Sequence, residues 1–391
     1  MRIVAITSRL PYPLEKGDKL RIFNQLKELS VDHEVILIAI DTENSKEENI
    51  NVLRNFCKEV HVFKINKWNI VIQLLTGIFS SLPFQVHYYF NSTINKKIHQ
   101  VISSNNPDII HCHLIRVAEY VRNLKYKKLI DYMDTFSLGL TRRTSKQAFY
   151  LRWLFKLESD RVRKYESMVF DDFNAHAIIS EQDRMYIEHP KRNSIKIINN
   201  GIASEFINYK ISDSKEYDLL FTGNMSYQPN VDAAIYLSKL VNKLKVKYPS
   251  IKLAISGTNP TAQVLDLQNE HIVVTGWLPD LKTIYAKSRI FIAPMQIGTG
   301  LQNKLLEAMA MRVPCITSKL ANNALKAING EQIIECEQED DYLNAIELLL
   351  NNQEKSNALA NNAYQFVINN YDWKSSVNEL VEIYKKLNDE V

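Results

Sequence analysis

Glycine is scarce in this chain, with 10 in 391 residues, against roughly 27 at average usage. A sequence so sparing keeps glycine where the backbone needs it. Gly223, Gly257, Gly276, Gly298 and Gly300 each close or follow an apolar, strand-like run, which predicts a row of glycines along one sheet edge. Cysteine is limited to Cys57, Cys112, Cys315 and Cys336. These lie far apart without zinc-ligand spacing and read as buried free thiols in a reducing compartment. No Asp-x-Asp occurs, and no third ligand accompanies His111 and His113, so no metal is expected. A net charge of only +4 argues against a dedicated nucleic-acid binder. Long hydrophobic runs are missing too. The most apolar window, Trp68 to Phe84, contains Asn69, Gln73, two Ser and Pro83, and so is not expected to span a bilayer. The opening MRIVAITSRL is too short and polar for a signal peptide and reads as a strand. A cytoplasmic protein is expected.

What is present is ample core material: 46% of the residues are hydrophobic and 24% charged, in a length that suits two domains. Apolar runs at Arg2–Ser8, 34–40, 59–65, 108–113, 128–134 and 175–180 alternate with helical stretches. The same alternation restarts at 218–224, 251–257, 271–277, 289–295, 315–318 and 332–337. Regular alternation means parallel, doubly wound sheets. The expected fold class is therefore α/β, with two Rossmann-like domains facing across a cleft, the polar stretch 199–217 serving as linker. The boundaries expected are 1–205 and 206–371, with helical segments from residue 340 to the end.

The stretch RIFIAPMQIGTGLQNKLLEAMAMRVPCITS, residues 289–318, organises the second half. It reads as strand, glycine loop, helix and strand. In a parallel sheet such a loop lies at the carboxyl end of its strand, where ligands bind. Free N–H groups at the helix start favour an anion. Lys304 and Glu307 lie three apart, near one helical face. A solvated Lys–Glu pair has the same spacing, but the strand, double glycine and helix start around it favour a site. The cation suits a diphosphate, and the carboxylate one turn on suits vicinal sugar hydroxyls. His111 and His113, two apart on the strand DIIHCH, share one face; ordinary strand-end histidines would do the same.

KGDKLR near the start, GNMSYQPNVDAA at 223–234, GTGLQNKLLEAMAMRVPCITS at 298–318 and YDW at 371–373 resemble the bacterial family 4 glycosyltransferases, most nearly those of exopolysaccharide biosynthesis. The resemblance spans nearly the whole chain. It implies the GT-B fold, retention of configuration, a UDP- or GDP-type sugar donor on the C-terminal domain and an acceptor on the N-terminal one. It also implies that the terminal helix, 372–391, returns to the first domain. Carried over residue by residue, it places Glu307 on the donor ribose and His113 near the reacting centre. Gly17, with Asp18 beside it, would lie over the diphosphate. Gly223, Asn224, Gly257, Gly276, Trp277 and Leu278 would line the donor site together with Gly298, Thr299, Gly300, Leu301, Gln302 and Asn303. Two departures stand out. Thr299 occupies the place of a glutamate that many members turn on the donor sugar. The Arg and Lys that clamp the diphosphate elsewhere fall at about Asn224 and Pro229, so Lys304 becomes the expected replacement.

The segment TRRTSKQAFYLRWLFKLESDRVRKYE, from residue 141, carries eight Lys or Arg and three acids, interleaved with aromatics. It lies in a stretch, 141–172, that reads as one long helix. Its Arg142, Arg143, Lys146 and Trp153 suit an anionic membrane surface or a lipid-diphosphate acceptor. A solvated helix packing its aromatics inward is the plainer alternative. The function expected is metal-independent transfer of a sugar from a nucleotide sugar to a glycan or lipid-linked glycan. The rivals are a nucleotide-sugar epimerase and a degenerate nucleotide-binding subunit. No nucleic-acid partner is expected, and the place of work is the cytoplasm, at the inner face of the cell membrane if that contact forms.

Overall fold

The computed structural model describes residues 1–14, 16–144, 149–209, 214–296 and 301–389. The chain divides into two compact units, Met1–Asn199 with Trp373–Val391, and Asn200–Asp372. Residues 200–205, which the sequence assigns to the first unit, belong to the second. The Ile202 N–H donates to the Tyr371 carbonyl at 2.7 Å, and Ile202 is buried in the second core.

The first unit holds a seven-stranded sheet in the order β3-β2-β1-β4-β5-β6-β7. Its strands are β1 (Arg2–Thr7), β2 (Glu34–Asp41), β3 (Glu59–Lys64), β4 (Ile109–His113), β5 (Lys128–Asp131), β6 (Ala175–Ile178) and β7 (Lys196–Ile197). All pairings are parallel. The runs IVAIT and VILIAID are buried throughout, because helices cover both faces of a parallel sheet. Strand order reverses direction between β1 and β4, where Thr7 lies beside His113. The helix Trp373–Asp389 belongs to this unit, with Val377, Leu380, Tyr384 and Leu387 in the same core cluster as Ile22, Leu26 and Leu29.

The second unit has a six-stranded parallel sheet in the order β10-β9-β8-β11-β12-β13. Its strands are β8 (Tyr217–Thr222), β9 (Leu253–Ser256), β10 (Ile272–Gly276), β11 (Ser288–Ala293), β12 (Cys315–Ser318) and β13 (Ile334–Cys336). The order turns between β8 and β11, and the crevice outside such a turn is where open α/β sheets take ligands. The helix Gln228–Leu244 follows β8, with Pro229 in its first turn, where a missing N–H matters least.

One expectation needs correction. The helical stretch 141–172 is not one helix: Phe136–Thr144 packs alongside Phe149–Met168, with Thr141 Oγ1 2.8 Å from Ser159 Oγ, and Val169–Asp172 tightens into a 3₁₀ turn; Lys146 lies outside the described residues. The two-residue β7, too short to show a pattern, falls just before the stretch read as linker. All four cysteines are buried and free.

Candidate functional site

In the second unit the expected glycine row exists at its described members. Gly223 follows β8, Gly257 follows β9 and Gly276 ends β10, and these strands are neighbours. The Gly223 N–H donates to the Ser256 carbonyl at 3.0 Å, and the Gly257 N–H to the Gly276 carbonyl at 2.9 Å. A Cβ on Gly257 would lie 1.7 Å from the Gly223 carbonyl oxygen, so no other residue fits. Gly298, Thr299 and Gly300 lie outside the described residues.

Gly223 leaves room for a cation. A Cβ there would stand 3.0 Å from Lys304 Nζ and 2.7 Å from Asn230 Nδ2. Lys304 sits in the first turn of the helix Asn303–Ala310, half-buried, with its ammonium 4.4 Å above the centre of the Phe221 ring. It donates to Asn230 Oδ1 at 2.7 Å, and Asn230 Nδ2 donates to the Asn224 carbonyl at 2.9 Å. The amide is thus fixed at both ends and aims the ammonium at the edge of the sheet. One turn on, Glu307 accepts from the Tyr285 hydroxyl at 2.9 Å, and that buried hydroxyl lies 2.8 Å from Thr222 Oγ1. Burial pushes Lys304 down to about 7, against the pull of Glu307. Burial likewise pushes Glu307 up to about 7, opposed by Tyr285 and Lys304. Both groups are short of solvent, and an incoming anion relieves the ammonium.

The remaining expected donor residues surround this pair. Gln302 caps the helix in an extended conformation, Leu301 packs on the core, and Asn303 keeps a buried Oδ1 without a partner. Trp277 is 62% exposed just past β10, while Leu278 packs against the core. Asn224 is exposed and turned into its own loop, its Oδ1 accepting from Ser226 N and Oγ at 3.0 and 2.8 Å. Pro229 is buried. The two positions that lack the usual cations both precede Asn230, which holds the lysine.

In the first unit a second cluster gathers at the carboxyl ends of β1, β4 and β5. Gly17 begins the helix Gly17–Asp32, and the Asp18 carboxylate accepts from Arg9 at 3.0 Å. His113 Nε2 donates to the Asp18 carbonyl at 3.1 Å, and its Nδ1 is 3.9 Å from Asp131. The His111 and His113 rings stack with centroids 6.3 Å apart. His111 Nδ1 accepts a hydrogen bond from the Tyr384 hydroxyl at 2.5 Å, and burial pushes this imidazole down to about 3. Burial alone would raise the Asp131 carboxyl, but Arg21 overrides it and holds Asp131 well below its ordinary value. The pair is bidentate, at 2.7 and 3.2 Å, and both side chains are fully buried.

Arg21 reads in the sequence as part of a solvated helix start; the structure makes it the largest fully buried side chain. Asn230, Tyr285 and Tyr384 were also missed, since each acts on a partner distant in sequence. Among the described residues, His111, His113 and Asp131 are the one set of three with ligand atoms close enough for a metal, all within 4.8 Å. The Arg21 guanidinium already supplies the positive charge there, so the set fits an ion pair lined by histidines. Trp153 is 65% exposed on the helix Phe149–Met168, and Arg142 and Arg143 lie in Phe136–Thr144.

Two parallel Rossmann-like sheets, one with a lysine and a glutamate at its turning point, give the chain the fold of solved GT-B structures. Residues 216–352, in the second unit, match the sequence profile of the family described as glycosyl transferases group 1. A Klebsiella pneumoniae protein named as an uncharacterized 44.6 kDa protein in cps region is 23% identical over 393 residues, covering 95% of this chain and 97% of that one. A Campylobacter jejuni α-1,4-N-acetyl-D-galactosaminyltransferase, named for a diNAcBac-PP-undecaprenol-linked acceptor, is 23% identical over 199 residues, 49% of this chain and 55% of its own. The Anabaena protein HepE, solved in complex with UDP and glucose, superposes with a TM-score of 0.68 at 12% identity, covering 99% of this chain and 100% of that one.

Proposed function

We propose that this glycosyltransferase moves a sugar from a nucleoside-diphosphate sugar of the UDP or GDP type to a glycan or lipid-linked glycan acceptor, in cell-surface polysaccharide synthesis. The observation that carries this reading is Lys304. Its desolvated ammonium is aimed by Asn230 over a glycine edge, at the turning point of the second sheet and in the first turn of a helix. Two independent sources of positive potential meet there, which suits a leaving diphosphate. Glu307, held by Tyr285, takes the ribose hydroxyls, and Gly276, Trp277 and Leu278 offer backbone and ring to the base. Asn200–Asp372 is accordingly the donor unit. The first unit takes the acceptor, and Gly17, Asp18 and His113 are its proposed site residues.

Transfer proceeds with retention and without a resident metal. In this scheme Lys304 stabilises charge as it develops on the departing oxygen, and catalysis rests on positioning and fixed dipoles. The relatives support the reading on both sides, with UDP and glucose bound in HepE and a polyprenol-linked acceptor for the Campylobacter enzyme.

A thermal-shift panel of nucleotide sugars identifies the donor, because a ligand at 100 times its dissociation constant adds about 2.7 kcal/mol of stability. With that donor, release of free nucleoside diphosphate must depend on an added lipid-linked or glycan acceptor. Interconversion of nucleotide sugars without release would make the chain an epimerase, and binding without turnover a degenerate subunit.

A further inference from the structure

The first unit exposes an apolar face on two neighbouring helices. On the helix Lys67–Gly77 and the residues after it, Trp68 is 79% exposed, Ile72 56%, Leu75 58% and Phe79 94%, while Trp153 stands 65% exposed on Phe149–Met168. A groove of about 520 Å³ runs between the two helices, lined by Leu74, Leu75, Ile78, Leu140, Leu154 and Phe155 among others. Isolated exposed apolar residues are ordinary, but a contiguous patch with its own groove marks an interaction surface.

The face is held in place by polar ties beneath it. Arg161 donates to the Gly77 and Ile78 carbonyls at 3.0 and 3.1 Å, which caps the end of the first helix. Glu158 accepts from the N–H groups of Phe84 and Gln85 at 2.8 and 3.1 Å. These bonds fix the exposed side chains outward.

Charge selects the occupant. Residues 67–90 contain no Asp or Glu, and residues 140–157 contain Arg142, Arg143, Lys146, Arg152 and Lys156 and again no acid. A second copy of this chain would bring the same cations face to face. Anionic headgroups satisfy both features, since amphipathic helices of this composition bury their apolar face at the headgroup–acyl boundary while basic residues meet the lipid charge. Among the described residues no helix is long and apolar enough to cross a membrane.

We infer that this face docks the protein on an anionic phospholipid bilayer, with Trp68, Phe79 and Trp153 entering the headgroup layer. The basic segment alone makes a contact that salt dissolves; the aromatic side chains make one that salt leaves. The inference goes beyond sugar transfer and does not depend on it, because lipid binding is read without donor or acceptor.

The test uses the full chain with vesicles of phosphatidylcholine containing phosphatidylglycerol, compared with phosphatidylcholine alone, at low and high salt. Wild type should sediment with the anionic vesicles, with tryptophan emission shifted to the blue, and keep part of its binding at high salt. Trp68→Ser with Phe79→Ser should lower the partition coefficient at least about tenfold, the order expected for leaving large apolar side chains in water, and abolish the salt-resistant part. Lys67→Gln with Lys156→Gln should reduce the preference for anionic lipid and spare the salt-resistant part. All four side chains are exposed, so unchanged circular dichroism and melting should show that the fold survives. Absence of wild-type binding to anionic vesicles overturns the inference. So does equal binding by the Trp68→Ser, Phe79→Ser variant, or a dimer that this variant dissolves while vesicles bind neither protein.

Discussion

Lys304→Ala tests the donor site most directly. The ammonium has a fixed place: bonded to Asn230 at 2.7 Å, 4.4 Å above the Phe221 ring, half-buried beside Gly223. The two family positions that commonly carry the clamp are Asn224 and Pro229, so among the described residues at this edge no other cation stands in for it. Negative charge on the leaving diphosphate grows toward the transition state, and an interaction with growing charge lowers the barrier more than it tightens ground-state binding. Loss of one such preorganised group costs about 3–4 kcal/mol, roughly 100–1,000-fold in rate. Lys304→Ala should therefore lower kcat by about that factor, with donor affinity changed much less and the circular dichroism spectrum retained.

The same geometry sets a pH signature. Burial holds Lys304 down at about 7 in the empty site, so above that pH a diphosphate must recapture a proton to meet an ammonium. Proton uptake on donor binding should rise from about one half at pH 7 to close to one at pH 9, read by calorimetry in buffers of different ionisation enthalpy, and Lys304→Ala should abolish it. Asn224→Arg, which restores a cation at an exposed position next to Gly223, should recover part of the lost rate. Near wild-type turnover by Lys304→Ala, measured as acceptor-dependent nucleotide release, would refute the assignment of the leaving-group cation.

Glu307→Ala removes a proposed ribose contact of about 1–2 kcal/mol, and should weaken donor binding roughly 5–30-fold by calorimetry while kcat changes less. Turnover should survive EDTA; complete loss restored by manganese or magnesium would defeat a metal-free site. Glu166 is fully buried, and burial raises its carboxyl to about 8 against the bonds from Ser137 and Phe136. Because the folded state holds that proton and the unfolded state releases it near pH 4.3, stability should fall as pH rises from about 4.5 to 8, by up to about 1.4 kcal/mol per pH unit. Glu166→Gln should melt higher than wild type at pH 9 and show a flatter profile, and equal pH dependence of the two proteins would dispose of the effect.

Apolar runs of five to eight residues separated by helical stretches fix parallel sheets by local pattern, so the fold could be read before any contact was known. Lys304 and Glu307 could be read as well, because helical spacing puts them on one face and the glycines mark which end of the strand they crown. Asn230 and Tyr285 could not, since each meets its partner across the sheet edge: 74 residues separate Asn230 from Lys304, and 22 separate Tyr285 from Glu307. The role of Arg21 stays hidden for the same reason, because a run of Lys16, Asp18, Lys19 and Arg21 looks solvated, and nothing nearby shows the carboxylate 110 residues away. A usable signal was nevertheless present at the other end of that pair. Asp131 ends the run Lys128–Asp131, four buried residues in mid-sheet. An ionised carboxylate there needs a fixed cation, since removing one partner of a buried pair costs about 3–5 kcal/mol. Arginine is the side chain whose planar fork meets a carboxylate with two bonds and stays charged when buried. Searching the helix starts that follow the central strands for that arginine leads to Arg21, after β1, and with it to the support on which His113 is held.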